Sequence, residues 1–365
     1  MTTIRIIGRA APRRALFLAI AVAVAQILTP VAGAAGGGDR SAVHWRADDP
    51  LSSPRFALAA ATAPDGSIYA IGGAIGAFAT GVVEVYTPRT RQWKAGPSLP
   101  RPRLRLAAAT GGDGRVYAIG GSSPGAEGAF LSSVFALTPG DDHWVPVAPM
   151  PTERQLLAAT AGADGRVYAV GGHRRNSLAT LEIYDPRVDR WTTGASMPTP
   201  RYDMGVASGP DGRIYAIGGC GDGDTNALNV VEAYSPAIDS WTTLAPLPSR
   251  RCLVDATTGP DGRIYAIGGC ELVTDPTGVP VDCVDTTRVD VYSPNTGIWE
   301  TVTGTTAAHR EGAAVTSGRR IFAISGHTSA VESARATARH RVPQPPAGDS
   351  SPDPQPQADA MRSGR

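Results

Sequence analysis

A short apolar run recurs along the chain and sets its pattern of hydrophobic and polar positions. Each run follows a polar turn and ends at a pair of glycines, in the copies PDGSIYAIGG at 64–73, GDGRVYAIGG at 112–121, ADGRVYAVGG at 163–172 and PDGRIYAIGG at 210–219 and 260–269, with a divergent SGRRIFAISG at 317–326. Apolar runs bounded by turn residues are typical of strands that are buried on both faces. The sequence therefore predicts one β-rich unit that is used repeatedly.

Four strands fit into each unit. In the fourth unit, the first strand is expected at 203–208, the second at 213–217, the third at 229–234, and the fourth around Trp241. The Asp-Gly turn between the first two strands suits a tight hairpin, because glycine accepts a positive φ. The six tryptophans recur about every fifty residues, a period typical of blade-like repeats.

The unit resembles the kelch repeat. That family combines a Gly-Gly pair with a Tyr and a Trp that are separated by about six residues, as in Gly72-Gly73, Tyr86 and Trp93, and in Gly218-Gly219, Tyr234 and Trp241. The second unit departs from the pattern, since Leu137 replaces the Tyr before Trp144. The resemblance covers about residues 42–336 and implies an all-β fold, a six-bladed kelch β-propeller. It leaves the function open, because one fold supports many functions.

The two ends of the repeat region predict how the propeller closes. A lone fourth strand around Trp45 precedes the first glycine pair, and the last unit has no terminal Trp. We expect the N-terminal strand to complete the last blade, which closes the ring and removes exposed sheet edges.

The flanking segments predict export. Arg5, Arg9, Arg13 and Arg14 precede the apolar run 15–28, and small residues follow at 32–34, so residues 1–35 are expected to be a signal peptide. The Pro-rich segment 337–365 is expected to be disordered. We expect a periplasmic or secreted monomer with no membrane insertion after cleavage. The net charge of +1 disfavours nucleic acid as a partner.

Four cysteines in an exported chain predict two disulfides. The register around the turn at 260–262 places Cys252 opposite Cys270, which favours the pairs Cys252–Cys270 and Cys220–Cys283. The alternative is Cys270–Cys283 across the long loop, with Cys220–Cys252 as the second pair. Both alternatives remain open from the sequence.

An arginine opens the first strand of each unit and is the main candidate for ligand binding. The equivalent residues are Arg55, Arg103, Arg154, Arg201 and Arg251, with Arg310 as an approximate sixth. If they circle the mouth of the channel, with Tyr202 and Asp203 beside them, they suit an acidic ligand, because Arg binds carboxylates in a bidentate manner. The alternative is structural pairing with the repeated acids Glu84, Glu182, Glu232 and Asp290. Acid–base chemistry would need an acid at the mouth, for which Glu153, Asp203 and Asp255 are candidates.

No metal or other cofactor is expected. The residues after the glycine pairs include His173, Cys220, Cys270 and His327, but neighbouring blades separate them by roughly 10 Å, too far to share one zinc ion. The stretch from Asp222 resembles the start of a calcium loop but lacks its glycine and its final acid.

Two function classes follow. The first is an exported binding module that holds an acidic ligand, a carbohydrate or a protein partner at the channel mouth. The second is a sugar-modifying enzyme resembling the sialic acid epimerases, which are exported kelch propellers of similar length. A copper radical oxidase like galactose oxidase is a lesser alternative, because its Tyr–Cys cross-link and its two histidines cannot be assembled without using framework tyrosines.

Overall fold

The computed structural model describes residues 43–123, 129–223, 226–274, 277, 280–324 and 326–336. The expected signal peptide and the expected disordered tail lie outside these residues. Within the described ranges the regular structure consists of strands and turns. No helix in this part of the chain is long and apolar enough to span a membrane.

Thirty-one strands make up the described structure. In chain order they are β1 (Trp45–Asp48), β2 (Ala59–Thr62), β3 (Ile68–Ile71), β4 (Ala74–Ile75), β5 (Phe78–Ala79), β6 (Val83–Thr87), β7 (Gln92–Ala95), β8 (Ala107–Thr110), β9 (Val116–Ile119), β10 (Ser122–Ser123), β11 (Ala129–Phe130), β12 (Val134–Leu137), β13 (Val145–Val147), β14 (Ala158–Ala161), β15 (Val167–Val170), β16 (Leu181–Asp185), β17 (Arg190–Thr193), β18 (Gly205–Ser208), β19 (Ile214–Ile217), β20 (Val231–Ser235), β21 (Ser240–Thr243), β22 (Arg251–Cys252), β23 (Asp255–Thr258), β24 (Ile264–Ile267), β25 (Cys270–Thr274), β26 (Pro280–Asp285), β27 (Val289–Ser293), β28 (Ile298–Val302), β29 (Ala313–Ser317), β30 (Arg320–Ile324) and β31 (Val331–Arg335).

Six four-stranded antiparallel sheets occur among the described residues, and we call them blades 1 to 6. Their strand orders are β2-β3-β6-β7, β8-β9-β12-β13, β14-β15-β16-β17, β18-β19-β20-β21, β23-β24-β27-β28 and β29-β30-β31-β1. The N-terminal strand β1 therefore pairs with β31, with Trp45 opposite Ala334. The first strands of successive blades lie side by side, and β29 lies beside β2. The all-β propeller expected from the resemblance is confirmed.

The apolar runs of the sequence form the second strand of each blade. All four residues of β19 and of β24 are buried, as expected for strands with a blade on each side. The glycine pair that follows lets neighbouring blades approach closely. Gly219 has a φ of +100°, and a Cβ there would lie 2.7 Å from the carbonyl oxygen of Tyr202. Only glycine meets both the conformation and the space.

Five of the six recurring tryptophans join their blade to the one before it. The indole N–H of Trp241 donates a hydrogen bond to the carbonyl oxygen of Ala195 at 2.7 Å, and Trp191 contacts Ala148 in the same way at 2.8 Å. Trp93 donates to Asp49, which follows β1, so the same contact connects blade 1 with blade 6. A half-buried indole thus contributes both apolar area and a satisfied donor at each of these boundaries.

The repeated arginines lie inside the blades. Arg55, Arg103, Arg154, Arg201 and Arg251 are each at most 1% exposed. In blade 4 the Arg201 guanidinium donates to Glu232 at 2.9 Å and to the carbonyl oxygen of Ala216 at 3.1 Å. Blades 1, 3 and 5 use Glu84, Glu182 and Asp290 in the same role. The structure therefore corrects the predicted ring of arginines at the mouth, because a buried guanidinium needs its counter-charge and carbonyl acceptors within the blade.

Blades 2 and 6 differ from the others in the residues of this buried interaction. Blade 2 has Phe135 where the others have an acid, and the guanidinium of Arg103 lies 4.8 Å from the centre of that ring and donates to Ser133. Burial, with a smaller effect of Arg101, lowers the pKa of Arg103 to about 10, so the group stays charged at neutral pH. In blade 6, His309 takes the arginine's place and contacts Glu332 at 2.9 Å. Arg310, predicted as the sixth arginine, is one residue out of register and pairs with Asp285.

Two disulfides link the four cysteines. The bonds are Cys220–Cys252 and Cys270–Cys283, with Cα separations of 5.1 and 5.3 Å. Cys252 does lie opposite Cys270 in the β22–β25 ladder, as the turn register predicts. The bond nevertheless goes to Cys220, because the residue after a glycine pair faces the next blade at this level of the propeller. Of the two pairings left open by the sequence, the structure therefore contains Cys220–Cys252 with Cys270–Cys283.

Replacing the buried counter-charge of one arginine tests the blade interior. Glu232→Gln leaves the Arg201 guanidinium buried with a neutral partner, and we expect the free energy of unfolding to fall by about 3–5 kcal/mol. The matched control is Glu153→Gln, which breaks an exposed 2.7 Å ion pair with Arg174 and should cost less than about 1 kcal/mol. Urea denaturation of both variants checks the prediction. Equal effects in the two variants would contradict it.

Candidate functional site

Six residues form a ring at one mouth of the central channel. Each lies two positions after the buried arginine of its blade, or after His309 in blade 6, and each has a positive φ between 50° and 56°. We call them the channel-mouth ring: Ala57, Arg105, Leu156, Asp203, Leu253 and Glu311. Such a conformation is uncommon for residues other than glycine and persists only where the surroundings fix it.

Backbone hydrogen bonds between blades support this conformation at four of the six positions. The N–H of Arg105 donates to the carbonyl oxygen of Ala57 at 2.8 Å, and that of Leu156 donates to Arg105 at 2.9 Å. The N–H of Asp203 continues the series to Leu156 at 3.1 Å. The Ala57 N–H donates to Glu311 at 2.8 Å, which joins blade 1 to blade 6. Four of the six ring residues are therefore held at the channel by a backbone hydrogen bond to the neighbouring blade.

A pocket opens at this ring and continues along the first strands. Its volume is about 150 Å³. Alanine, leucine and valine side chains supply most of its walls, and the charged residues in its lining are Arg105, Asp203, Asp255 and Glu311. A concave apolar wall with a few convergent polar groups is typical of small-molecule sites.

The acid pair, Asp203 and Asp255, is the most unusual feature of the pocket. Burial, followed by the charge of Glu311, raises the pKa of Asp203 to about 7, against smaller opposing effects of Arg105 and Arg310. Burial, followed by the charge of Asp203, raises the pKa of Asp255 to about 8. Neither carboxyl group forms an ion pair with a described residue. Two interacting carboxyls in one apolar site favour a state in which a proton is retained.

Neither acid belongs to the repeat framework. The positions equivalent to Asp255 in the other blades hold Ala59, Ala107, Ala158, Gly205 and Ala313. Asp203 likewise shares its position in the ring with three apolar residues. A repeat that places alanine or glycine here in five blades has no structural need for a carboxylate in the remaining one. The acid pair is therefore a specific addition to this propeller, and perturbed acids in a cleft mark candidate functional sites.

Two histidine–aromatic contacts flank the ring. His327 lies 3.3 Å from Glu311 and stacks on Phe56, with ring centres 5.4 Å apart and nearly parallel planes. On the side of Asp203, the ring of Tyr202 contacts His173 edge-on at 5.1 Å. Both contacts cross from one blade to the next. They place partly exposed aromatic surface beside Glu311 and next to Asp203.

The predicted site residues separate into two groups. Asp203 and Asp255 come together in the pocket lining, and Tyr202, the chain neighbour of Asp203, lies outside that lining. The five arginines inside the blades do not line the pocket, and Glu153 lies outside its lining in an exposed pair with Arg174. Sequence reasoning did not single out Arg105 and Glu311. Both lie two residues after the residue that is buried in the blade, and this position could have indicated them. Three of the six equivalent positions hold alanine or leucine, so the sequence shows no repeated polar residue there.

No metal centre is found among the residues that the structure describes. They contain no cluster of three or more His, Cys, Asp or Glu side chains suited to a metal ion. Asp222, at the start of the calcium-like stretch, accepts hydrogen bonds from the N–H and the hydroxyl of Ser177, both at 2.7 Å. All four cysteines are in disulfides. None is left for the Tyr–Cys cross-link of a copper radical oxidase.

Comparisons with known proteins agree with this architecture. A solved structure titled "Structure of YjhT" is similar to the chain with a TM-score of 0.64 and 16% sequence identity, over 79% of this chain and 95% of that one. At this identity the likeness establishes the fold alone. No curated protein matches the chain. The kelch motif is matched over residues 55–100, 103–151, 157–198 and 200–248, about half of the sequence. With its glycine pairs, spaced tryptophans and four-stranded blades, the chain belongs to the kelch family.

Proposed function

We propose that the protein is a binding propeller that holds a carbohydrate, or a similar polyhydroxylated molecule, in the channel-mouth pocket. The observation that carries this proposal is the acid pair, two carboxyl groups in the pocket lining at positions where the repeat needs no acid. A framework role explains the arginines of the blades but not these two residues. A ligand in the channel would provide the hydrogen-bonding partners that the described side chains do not.

The charge of the pocket favours a neutral or singly acidic sugar over a polyanion. Asp203, Asp255 and Glu311 oppose multiple negative charges, while Arg105 offers one cationic group in the described lining. Because the pKa values of the acid pair are raised to about 7 and about 8, the pair offers an O–H donor as well as carboxylate acceptors at neutral pH. Sugar hydroxyls accept and donate in the same way. Arg105 suits the carboxylate of an acidic sugar.

The second candidate is an enzyme that transfers protons to and from the bound sugar. A general acid and a general base work best with pKa values near the operating pH, and the acid pair has this property. A sugar-modifying activity resembling that of the sialic acid epimerases would use one protonated and one ionised carboxyl group. This candidate shares the pocket and the ligand class with the first.

Export to the periplasm or the medium belongs to the same proposal. Two disulfides are typical of oxidising compartments outside the cytoplasm. The signal peptide expected at 1–35 would direct the chain there. Cell-surface and environmental carbohydrates are accessible in these compartments.

Thermal unfolding in the presence of a ligand panel tests the binding proposal. Neutral monosaccharides and oligosaccharides, sialic acid and an acidic peptide are compared. A sugar present at a hundred times its Kd stabilises the folded state by about 2.7 kcal/mol, which raises the Tm. We expect Asp255→Asn to remove the shift and Glu153→Gln, outside the pocket lining, to retain it. A shift with the acidic peptide alone would contradict the carbohydrate proposal.

The enzyme candidate is tested by anomer exchange of a sugar that binds. Exchange spectroscopy by NMR measures whether the protein accelerates interconversion of the two anomers. We expect a rate maximum between pH 7 and 8, where the acid pair carries a single proton, and a loss of about a hundredfold or more in Asp203→Asn and Asp255→Asn. A sugar that binds without any acceleration would refute this candidate and leave the binding function.

The acid pair also predicts how stability depends on pH without any ligand. Both carboxyls ionise near pH 4 in the unfolded chain but only near pH 7 to 8 in the folded protein. The folded state therefore binds more protons between these values, so the free energy of unfolding falls as pH rises from 5 to 9. Asp255→Asn should flatten this decline. Parallel pH profiles of the variant and the wild type would contradict the assignment.

A further inference from the structure

The Cys220–Cys252 disulfide lies directly between the segments that carry the acid pair. Cys220 pairs with Tyr202 through two backbone hydrogen bonds of 3.0 and 2.7 Å, and Tyr202 immediately precedes Asp203. At its other end, Cys252 immediately precedes Leu253 of the channel-mouth ring and lies three residues before Asp255. The disulfide is thus a short covalent path from one acid-bearing segment to the other.

At two other blade boundaries the equivalent positions are in contact without a covalent bond. Between blades 6 and 1, His327 after the glycine pair stacks on Phe56, and between blades 3 and 4, His173 contacts Tyr202. Between blades 4 and 5 the same two positions hold Cys220 and Cys252, joined by a bond with a Cα separation of 5.1 Å. The boundary that is cross-linked is the one between the two blades that carry Asp203 and Asp255, which line the same pocket.

The spacing of the two acids depends on this boundary, because each belongs to a different blade. Their first strands, β18 and β23, approach so closely that a Cβ at Gly205 would lie 2.6 Å from the Cβ of Ala256. Glycine at this position of β18 permits the approach, and no described side chain bridges the two carboxyls. The repulsion between like charges varies with their distance, so a small change at the boundary alters how tightly the pair retains a proton.

We propose that the Cys220–Cys252 disulfide is a positioning cross-link that sets the spacing of the Asp203 and Asp255 carboxyl groups. This inference rests on the proposed function only in so far as the acid pair acts on a ligand. The other charged groups that act on the pair are Glu311, Arg105 and Arg310, each through its effect on Asp203. None of the three is on the segment that carries Cys252 and Asp255, so breaking the bond alters the spacing of the pair without removing a charge.

The chain provides a matched control in its second disulfide. Cys270–Cys283 lies within the β25–β26 hairpin, where Leu272 pairs with Cys283, and it does not cross between blades. Cys270→Ser/Cys283→Ser therefore removes a disulfide from the same region and leaves the boundary between blades 4 and 5 cross-linked. Cys220→Ser/Cys252→Ser removes the cross-link and retains the hairpin bond.

The experiment is a titration of the aspartate carboxyl groups by ¹³C NMR in both double variants, without ligand. We expect Cys220→Ser/Cys252→Ser to lower the proton affinity of the higher-titrating carboxyl by about threefold or more, since a looser pair repels less. The Cys270→Ser/Cys283→Ser control should titrate like the wild type. A folded Cys220→Ser/Cys252→Ser variant with the wild-type titration would overturn the proposal.

A second measurement covers the case in which Cys220→Ser/Cys252→Ser does not fold. The Cys270→Ser/Cys283→Ser protein, which contains a single disulfide, is titrated before and after reduction by dithiothreitol, with the NMR spectrum reporting that it stays folded. A drop in proton affinity on reduction supports the cross-link, and an unchanged titration opposes it. The sugar panel is then run on both forms. If the titration changes while no form binds a sugar, the proposed function fails and the positioning role stands.

Discussion

The close backbone contact between neighbouring blades is the constraint on which the rest of this structure depends. At the channel mouth, backbone N–H groups donate to a carbonyl oxygen of the preceding blade. Ala57 donates to Glu311, Arg105 donates to Ala57, and Leu156 donates to Arg105. Four of the six ring residues, all six of which have a positive φ, donate such a hydrogen bond. A little further out, the glycine pairs remove the side chains that would keep the blades apart. The first and last blades meet by the same contact.

This constraint separates framework from chemistry. In blades 1 to 5 the arginine that precedes the first strand turns inward and is a buried cation with its own acceptors, as Arg201 is with Glu232. The residue two positions later is forced to the mouth, whatever its type. Positions that hold the same residue type in most blades therefore serve the blade framework, and the other positions can hold residues that serve a ligand. The acid pair occupies non-repeating positions, which is why we connect it and not the arginines with a ligand.

Much of the fold could be predicted from the sequence, because its determinants repeat. The buried second strands, the Asp-Gly turns and the pairing of Cys252 opposite Cys270 all follow from local pattern and hairpin register. The disulfide pairing could not be predicted from the sequence, because hairpin register describes contacts within one blade. Cys220 and Cys252 meet through the packing of two neighbouring blades. The prediction of arginines at the mouth is wrong because the sequence pattern does not show which side chain reaches the channel. The arginine itself is buried in the blade, and the residue two positions later lies at the channel. The places of Arg105 and Glu311 in the pocket lining could not be predicted either, because the equivalent positions in other blades include alanine and leucine.

The most direct test of this account is a ¹³C NMR titration of the aspartate side chains in the wild-type protein, with Asp203→Asn and Asp255→Asn to assign the signals. The account predicts two coupled carboxyls that titrate near pH 7 and 8, of which the remaining one shifts to a lower pH when its neighbour is replaced. If every aspartate of the folded protein titrates below about pH 5, near or below the usual range for the residue, the acid pair has no special chemistry and the central claim is wrong.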